Sequence, residues 1–236
     1  MLKKILGFDL NNLMLELVLH FASLVALFIF YRKLIFKIIK GVYLYLFKKD
    51  RENLKYYRMF IFIVLAIIPS AVAGYFLDDY FEYLVSSTLL IGIFFIINGI
   101  NLYSLKNVEG DKKVEGTTFK DILIVGFHQV IGLIPGISRS GSALSGCYRT
   151  GIDKKESSEI VFLMLFPLVI GSIILNIGDF YVDELTLIPL IISFVVCAFL
   201  TYLSLKIFIK LISNKKIYYF SYYCFLLGTT LIILSM

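Results

Sequence analysis

Apolar runs close to the length of a bilayer crossing recur along the chain, at about 13–31, 57–77, 84–104, 157–177, 185–205 and 217–235. A hydrocarbon core of about 30 Å takes roughly 20 residues of α-helix. Backbone in lipid must satisfy its own hydrogen bonds, so only helices or closed barrels cross it. Strand-like alternation of apolar and polar side chains is absent, which excludes an outer-membrane barrel. The chain is therefore expected to be all-α, a polytopic membrane protein of about six transmembrane helices, with residues 1–236 forming a single integral membrane domain. The composition agrees: 59% of residues are hydrophobic and the mean hydropathy is +0.88, against about 45–50% apolar in soluble domains.

Loop charges set an orientation. Residues 32–58 carry Arg32, Lys33, Lys37, Lys40, Lys48, Lys49, Arg51, Lys55 and Arg58, residues 106–120 carry Lys106, Lys112, Lys113 and Lys120, and residues 206–216 carry Lys206, Lys210, Lys215 and Lys216. Asp78, Asp79 and Glu82 mark one acidic loop, and Asp179, Asp183 and Glu184 another. Basic loops face the cytoplasm, which leaves Lys3 and Lys4 as the exception. This topology accounts for the net charge of +6, so nucleic acid is not an expected partner. Membrane lipids are, with the basic 32–58 segment against anionic headgroups; the first span is expected to continue into it as an amphipathic helix, "KLIFKIIKGVYLYLFKK". The start, "MLKKILGFDLNNL", lacks the apolar core and cleavage site of a signal peptide. Cys147, Cys197 and Cys224 are read as small buried hydrophobes.

Residues 121–150 break the pattern. If this stretch crossed the membrane once, every later loop would fall on the wrong side. Residues 121–134 and 141–150, as helices, reach only about 21 Å and about 15 Å. Pro135 disfavours a helical Ile134 and ends the first half. The prediction is a re-entrant helix–turn–helix over 121–150, with "PGISRSG" (135–141) at its tip inside the membrane.

An arginine at that depth points to function. Gly136 and Gly141 let backbone approach a ligand, and Ser140 is the expected N-cap of a helix starting near Gly141. A helix N-terminus offers free N–H donors. Arg139 adds a permanently charged fork suited to phosphate oxygens, and Ser138 and Ser140 add hydroxyls. His128 and Gln129 lie about two turns earlier. From the residues alone two readings stand: a phosphate cradle in which Arg139 also stabilises a leaving phosphate, or an arginine paired with a carboxylate or carbonyls, with serines satisfying broken-helix backbone.

Other polar residues read first as structural. Glu16 and His20 share a helix face, with Ser23 one turn on. Glu159 suits a helix N-terminus, and Asn98 and Asn101 suit contacts between helices. Pro69, Pro167 and Pro189 suit kinks or helix starts.

"GFHQVIGLIPGISRSG" (126–141), followed by "SSEIVFLMLFPLVIG" (157–171), resembles the undecaprenyl-pyrophosphate phosphatase family, and 15–34 and 67–100 resemble further spans of it. The resemblance implies hydrolysis of a polyprenyl diphosphate to the monophosphate at the outer face of the cell membrane, recycling the lipid carrier of envelope synthesis. A non-catalytic polyprenyl-phosphate carrier or flippase, or an inactive homologue, is the alternative. It also implies an inverted repeat with two re-entrant hairpins, a divalent cation (magnesium or calcium), and a homodimer as the candidate assembly. Arg139, Ser138 and Ser140 would be catalytic, with Gly136, Gly141, Gln129 and His128 at the substrate. The family's earlier hairpin carries Glu-Gly-x-x-Glu-Phe-Leu-Pro and Ser-Ser-Thr-Gly-His segments. "MLKKILGFDLNNLMLEL" contains neither, so the chain is expected to begin after them, and the metal ligands are not identifiable in it. Cys224, in "YYCFLLG", stands where the family has a basic residue.

Overall fold

The computed structural model describes residues 12–176, 184–214 and 216–235, and these are helical, with no strand beyond one isolated bridge. The helices are α1 (Asn12–Lys48), α2 (Leu54–Val85), α3 (Thr88–Ser104), α4 (Phe119–Ile131), α5 (Arg139–Arg149), α6 (Lys154–Leu163), α7 (Leu165–Asn176), α8 (Glu184–Ser213) and α9 (Tyr219–Leu234). Lys3, Lys4, Asp179 and Asp183, and the side chains of Glu16, Asp78, Asp79, Glu82 and Glu184, lie outside the described residues. The segments Arg51–Leu77 and Leu187–Ser213 are long and apolar enough to cross a membrane, and only 28% and 6% of their apolar windows are buried within the molecule. Helices of a soluble core would bury most of that surface.

The first span and the basic segment after it form one helix, α1, as expected. The run at 157–177 is not continuous: it breaks at Met164 between α6 and α7. Pro167 explains the break, because it has no N–H to donate to the Leu163 carbonyl and its ring crowds that carbonyl. Pro69 and Pro189 lie inside α2 and α8.

The chain packs as two compact units. One comprises Met1–Ile35 and Leu165–Ile207. Here α1 meets α8 through Phe21–Phe194 and Phe30–Tyr202 ring contacts at 5.9 and 5.8 Å, and Ser23 Oγ donates to the Leu19 carbonyl at 2.9 Å and lies 3.3 Å from Thr201 Oγ1. His20 and Ser23 thus belong to this unit.

The other unit comprises Phe36–Met164 and Phe208–Met236 and contains the helix–turn–helix. In it α3 packs antiparallel on α9, since Gly92 meets Gly228 and Ile232 while Gly99 meets Phe225. A Cβ on Gly228 would lie 2.8 Å from the Gly92 carbonyl oxygen; small residues let the backbones touch. α4 seats on α2 through Gly126, where a Cβ would lie 2.8 Å from the Ala66 carbonyl oxygen, and on α5 through Gly146, where it would lie 2.9 Å from Val125 Cα. α5 is tied to α3 by side chains: Ser145 Oγ donates to Asn101 Oδ1 at 2.9 Å, and Arg149 donates to Ser145 Oγ at 3.2 Å and Ser104 Oγ at 2.7 Å. Asn98 Nδ2 donates to Cys224 Sγ at 3.3 Å. Both asparagines therefore make the interhelical contacts expected of them.

The chain leaves this helix–turn–helix where it began it. Lys112 N–H donates to the Gly151 carbonyl at 3.0 Å, and Asp153 N–H to the Lys112 carbonyl at 2.9 Å. Charged groups clamp these feet. Glu156, 4% exposed, takes Lys55 Nζ on one carboxylate oxygen at 2.6 Å and Val114 N–H on the other at 2.5 Å. Lys113 pairs with Asp153 at 3.1 Å, Lys112 with Asp121 at 3.0 Å, and Arg58 donates to the Thr117 carbonyl at 2.5 Å. Burial by itself raises the Asp153 carboxyl, but the Glu156 N–H and the Lys113 ammonium outweigh it and hold the group below its ordinary 3.8. Asp121 is lowered in the same way, burial being outweighed by the Thr118 N–H and Lys112.

Two expectations are corrected here. Lys55 and Arg58 serve this clamp, whereas Arg32, Lys33, Lys37, Lys40, Lys48, Lys49 and Arg51 are exposed. Glu159 is not the acid of a helix start. α6 begins at Lys154 behind the N-cap Asp153, whose carboxylate accepts from the N–H groups of Lys155 and Glu156, so Glu156 holds that place.

Candidate functional site

α4 starts on a capping box, in which the Thr118 side chain and Asp121 each accept from the other's backbone N–H. It ends at Ile131, three residues before the position expected from Pro135. Leu133 N–H to Val130 at 2.9 Å, Ile134 N–H to Ile131 at 3.2 Å and Ile137 N–H to Ile134 at 3.0 Å then carry the chain through tight turns. Gly132 allows this: a Cβ there would lie 2.5 Å from Arg139 Cα, so the turn closes backbone on backbone. Gly136 has φ +92°, and a Cβ on it would lie 2.8 Å from the Ile91 carbonyl oxygen of α3. Both conformation and space demand glycine.

α5 begins two residues earlier than expected, at Arg139, and its N-cap is Ser138, not Ser140. Ser138 Oγ accepts from Gly141 N–H at 3.1 Å, and the Ser138 carbonyl accepts from Ser142 N–H at 2.8 Å. Ser138 is the better cap because it is still extended (φ −76°, ψ 119°), the backbone a cap needs. The N–H groups of Arg139 and Ser140 then occupy the first turn, where helix geometry provides no acceptor. Arg139 is exposed and has no carboxylate partner among the described residues. A cation, two open N–H groups, the N-terminal end of the helix dipole and two hydroxyls are therefore together at one point.

His128 is set back from that point. His128 packs on Gly146, where a Cβ would lie 3.0 Å from the His128 Cβ; this is seven residues along α5 from Arg139, about 10 Å. Its Nδ1 is 2.9 Å from the Ile124 carbonyl, so that nitrogen carries the proton. Gln129 is buried on α4, and its Oε1 has no hydrogen-bond partner among the described residues. No imidazole or carboxylate hydrogen-bonds to Ser138 or Ser140 among the described residues, and no three His, Cys, Asp or Glu side chains converge there or elsewhere among them.

Beside the turn lies a cavity of about 350 Å³, lined by Gly136, Ile137, Ser138 and Gly141 of the turn and first helical turn, by Phe95, Asn98 and Leu102 of α3, and by Phe208, Ile217, Phe220, Tyr223 and Cys224. It is not legible in the sequence, because its walls come from three separate segments, 95–102, 136–141 and 208–224, that do not announce one another. The start of α6 was legible in principle: Asp153-x-x-Glu156 before an apolar run is a capping signal.

Comparison with known proteins resolves the family. The family model described as bacitracin resistance protein BacA matches residues 1–230. The chain is 30% identical over 232 residues to undecaprenyl-diphosphatase 2 of Bacillus thuringiensis, covering 97% of this chain and 86% of that protein. It is 31% identical over 239 residues to undecaprenyl-diphosphatase 1 of Halalkalibacterium halodurans, covering 100% and 86%. It is 30% identical over 241 residues to the undecaprenyl-diphosphatase of Carboxydothermus hydrogenoformans, covering 100% and 87%. With nearly its whole length matched, and with the Pro-Gly-x-Ser-Arg-Ser-Gly turn in place, the chain belongs to the BacA family.

Proposed function

We propose that the protein is an undecaprenyl-diphosphatase, a hydrolase that releases phosphate from the lipid diphosphate and returns the monophosphate carrier. The near-full-length match to curated enzymes of that name carries this conclusion. At the site, Arg139 and the first-turn N–H groups of α5 receive the diphosphate. Ser138 Oγ accepts from Gly141 N–H, which leaves its own O–H free to donate to a phosphate oxygen. Ser140 supplies a second hydroxyl. Phosphoryl transfer needs mainly positioning and charge stabilisation. A permanently charged guanidinium and the N–H dipoles fixed at the helix start stabilise the charge that builds on the leaving phosphate. Gly136 and Gly141 shape the turn that presents them. A divalent cation, magnesium or calcium, belongs to the proposal as an ion carried by the diphosphate.

The same proposal places the protein as a multi-pass protein of about six spans in the cell membrane, with α4 and α5 re-entering from the cytoplasmic side and the site open toward the outer face. The return of Ile152 to Lys112, and the basic residues beside both, support one-sided insertion. Cysteines placed at residues 113 and 155 should both be labelled from the cytoplasm, and labelling from opposite sides would overturn the re-entrant model. Purified protein supplied with undecaprenyl diphosphate and magnesium should release phosphate. Binding without release would favour a carrier.

A further inference from the structure

The cavity beside the turn has a composition that the phosphate chemistry does not explain. Ser138 belongs to both: its hydroxyl caps the phosphate-binding end of α5 and it lines the cavity. Away from Ser138 the walls are Phe95, Leu102, Phe208, Phe220 and Tyr223, and the backbone of Gly136 and Gly141 replaces side chains on the side of the turn. Phe208 is held against Phe220 and Phe162 at 5.1 and 5.5 Å between ring centres, so the aromatic wall is braced from behind. Asn98, 3% exposed, lines the same space, and its Oδ1 has no partner among the described residues while its Nδ2 is committed to Cys224 Sγ. An apolar cavity with one polar point beside it takes an apolar ligand and room for a water at that point. A volume of about 350 Å³ lies at the small end of ligand pockets, ~300–1,000 Å³, too small for a long lipid tail but ample for its beginning.

We infer that this cavity between α3, α9 and the turn is the subsite for the first isoprene units of the lipid diphosphate, the rest of the chain continuing into the bilayer. The inference rests on the diphosphatase reading for its ligand. It makes Phe95, Phe220 and Tyr223 specificity determinants: the enzyme recognises a prenyl diphosphate by its proximal end and is indifferent to total length.

The test uses the whole protein in detergent and a farnesyl diphosphate analogue with a diazirine on its first isoprene unit, the adduct being mapped by mass spectrometry. Label should fall on Phe95, Phe220 or Tyr223. Excess farnesyl diphosphate should displace it at a lower concentration than inorganic pyrophosphate, which competes for the phosphate end only. Label confined to the outward apolar faces of α2 and α8 would overturn the assignment, as would equal displacement by pyrophosphate and farnesyl diphosphate. Cys224→Phe fills the cavity and should cut labelling about tenfold; undiminished labelling in a folded variant would also overturn it. If that variant does not fold, the wild-type map decides. Phosphate release is scored separately. Cavity labelling without any release would sink the diphosphatase reading and leave the prenyl subsite standing, whereas release with no cavity labelling would do the reverse.

Discussion

Replacing Glu156 with alanine should destabilise the protein more than any other change to a single charge outside the apolar helices. Its carboxylate is 5% exposed and joins α2, the 112–117 connection and α6 through Lys55 and Val114. Val114 is fully buried, so its N–H would lose its acceptor with no water to replace it, at a cost of about 1–3 kcal/mol. Lys55 is 34% exposed and regains water, so loss of the ion pair adds only about 1 kcal/mol, the upper end for exposed pairs. The sum, about 3 kcal/mol, corresponds to roughly 6–12 °C in Tm at roughly 2–4 °C per kcal/mol for a chain of this size. Glu156→Gln keeps an acceptor for the Val114 N–H and should cost about 1 kcal/mol, or roughly 2–4 °C. Thermal unfolding in detergent, followed by circular dichroism, separates the two. Equal shifts for alanine and glutamine, or a shift under about 2 °C for alanine, would refute the claim that the buried N–H dominates.

Gly136→Ala must hold a side chain at φ +92° against the Ile91 carbonyl, costing about 1–2 kcal/mol in conformation alone; it should lower Tm and phosphate release together, and an active, undestabilised variant would contradict the turn geometry. Folding lowers the Asp153 and Asp121 carboxyls below 3.8. As pH falls the unfolded chain therefore binds protons first, so the carboxylates' contribution is whole above 3.8 and is lost below it. Tm should fall below about pH 4, with an acid limb made shallower by Asp153→Asn. A Tm that rises on acidification would contradict the clamp.

How much was legible follows from where the information lies. The helical class comes from local hydropathy, and the basic extension of α1 could be read from one continuous segment. The turn was legible because Pro135, Gly136 and Gly141 act on their own neighbours. Its detail was not: whether Ser138 or Ser140 caps α5 depends on how tightly Gly132 lets the chain fold onto Arg139, a contact seven residues apart. Pro167 was visible, but the place of the break, at Met164 three residues before it, follows from the Leu163 carbonyl it strips of a donor. The clamp and the cavity are long-range pairings, Lys55 with Glu156 and Asn98 with Cys224, and no local pattern announces such partners. Arg139 was found because a charge in an apolar setting is costly unless it is used.

Phosphate release from undecaprenyl diphosphate by wild type and Arg139→Ala, compared at equal amounts of folded protein, tests the central claim most directly. A guanidinium that stabilises the leaving phosphate predicts a loss of about 10²- to 10³-fold in kcat, with Arg139→Lys in between because a point charge replaces the fork. Turnover within about threefold of wild type in Arg139→Ala would show that the exposed arginine at the start of α5 does not act on the diphosphate.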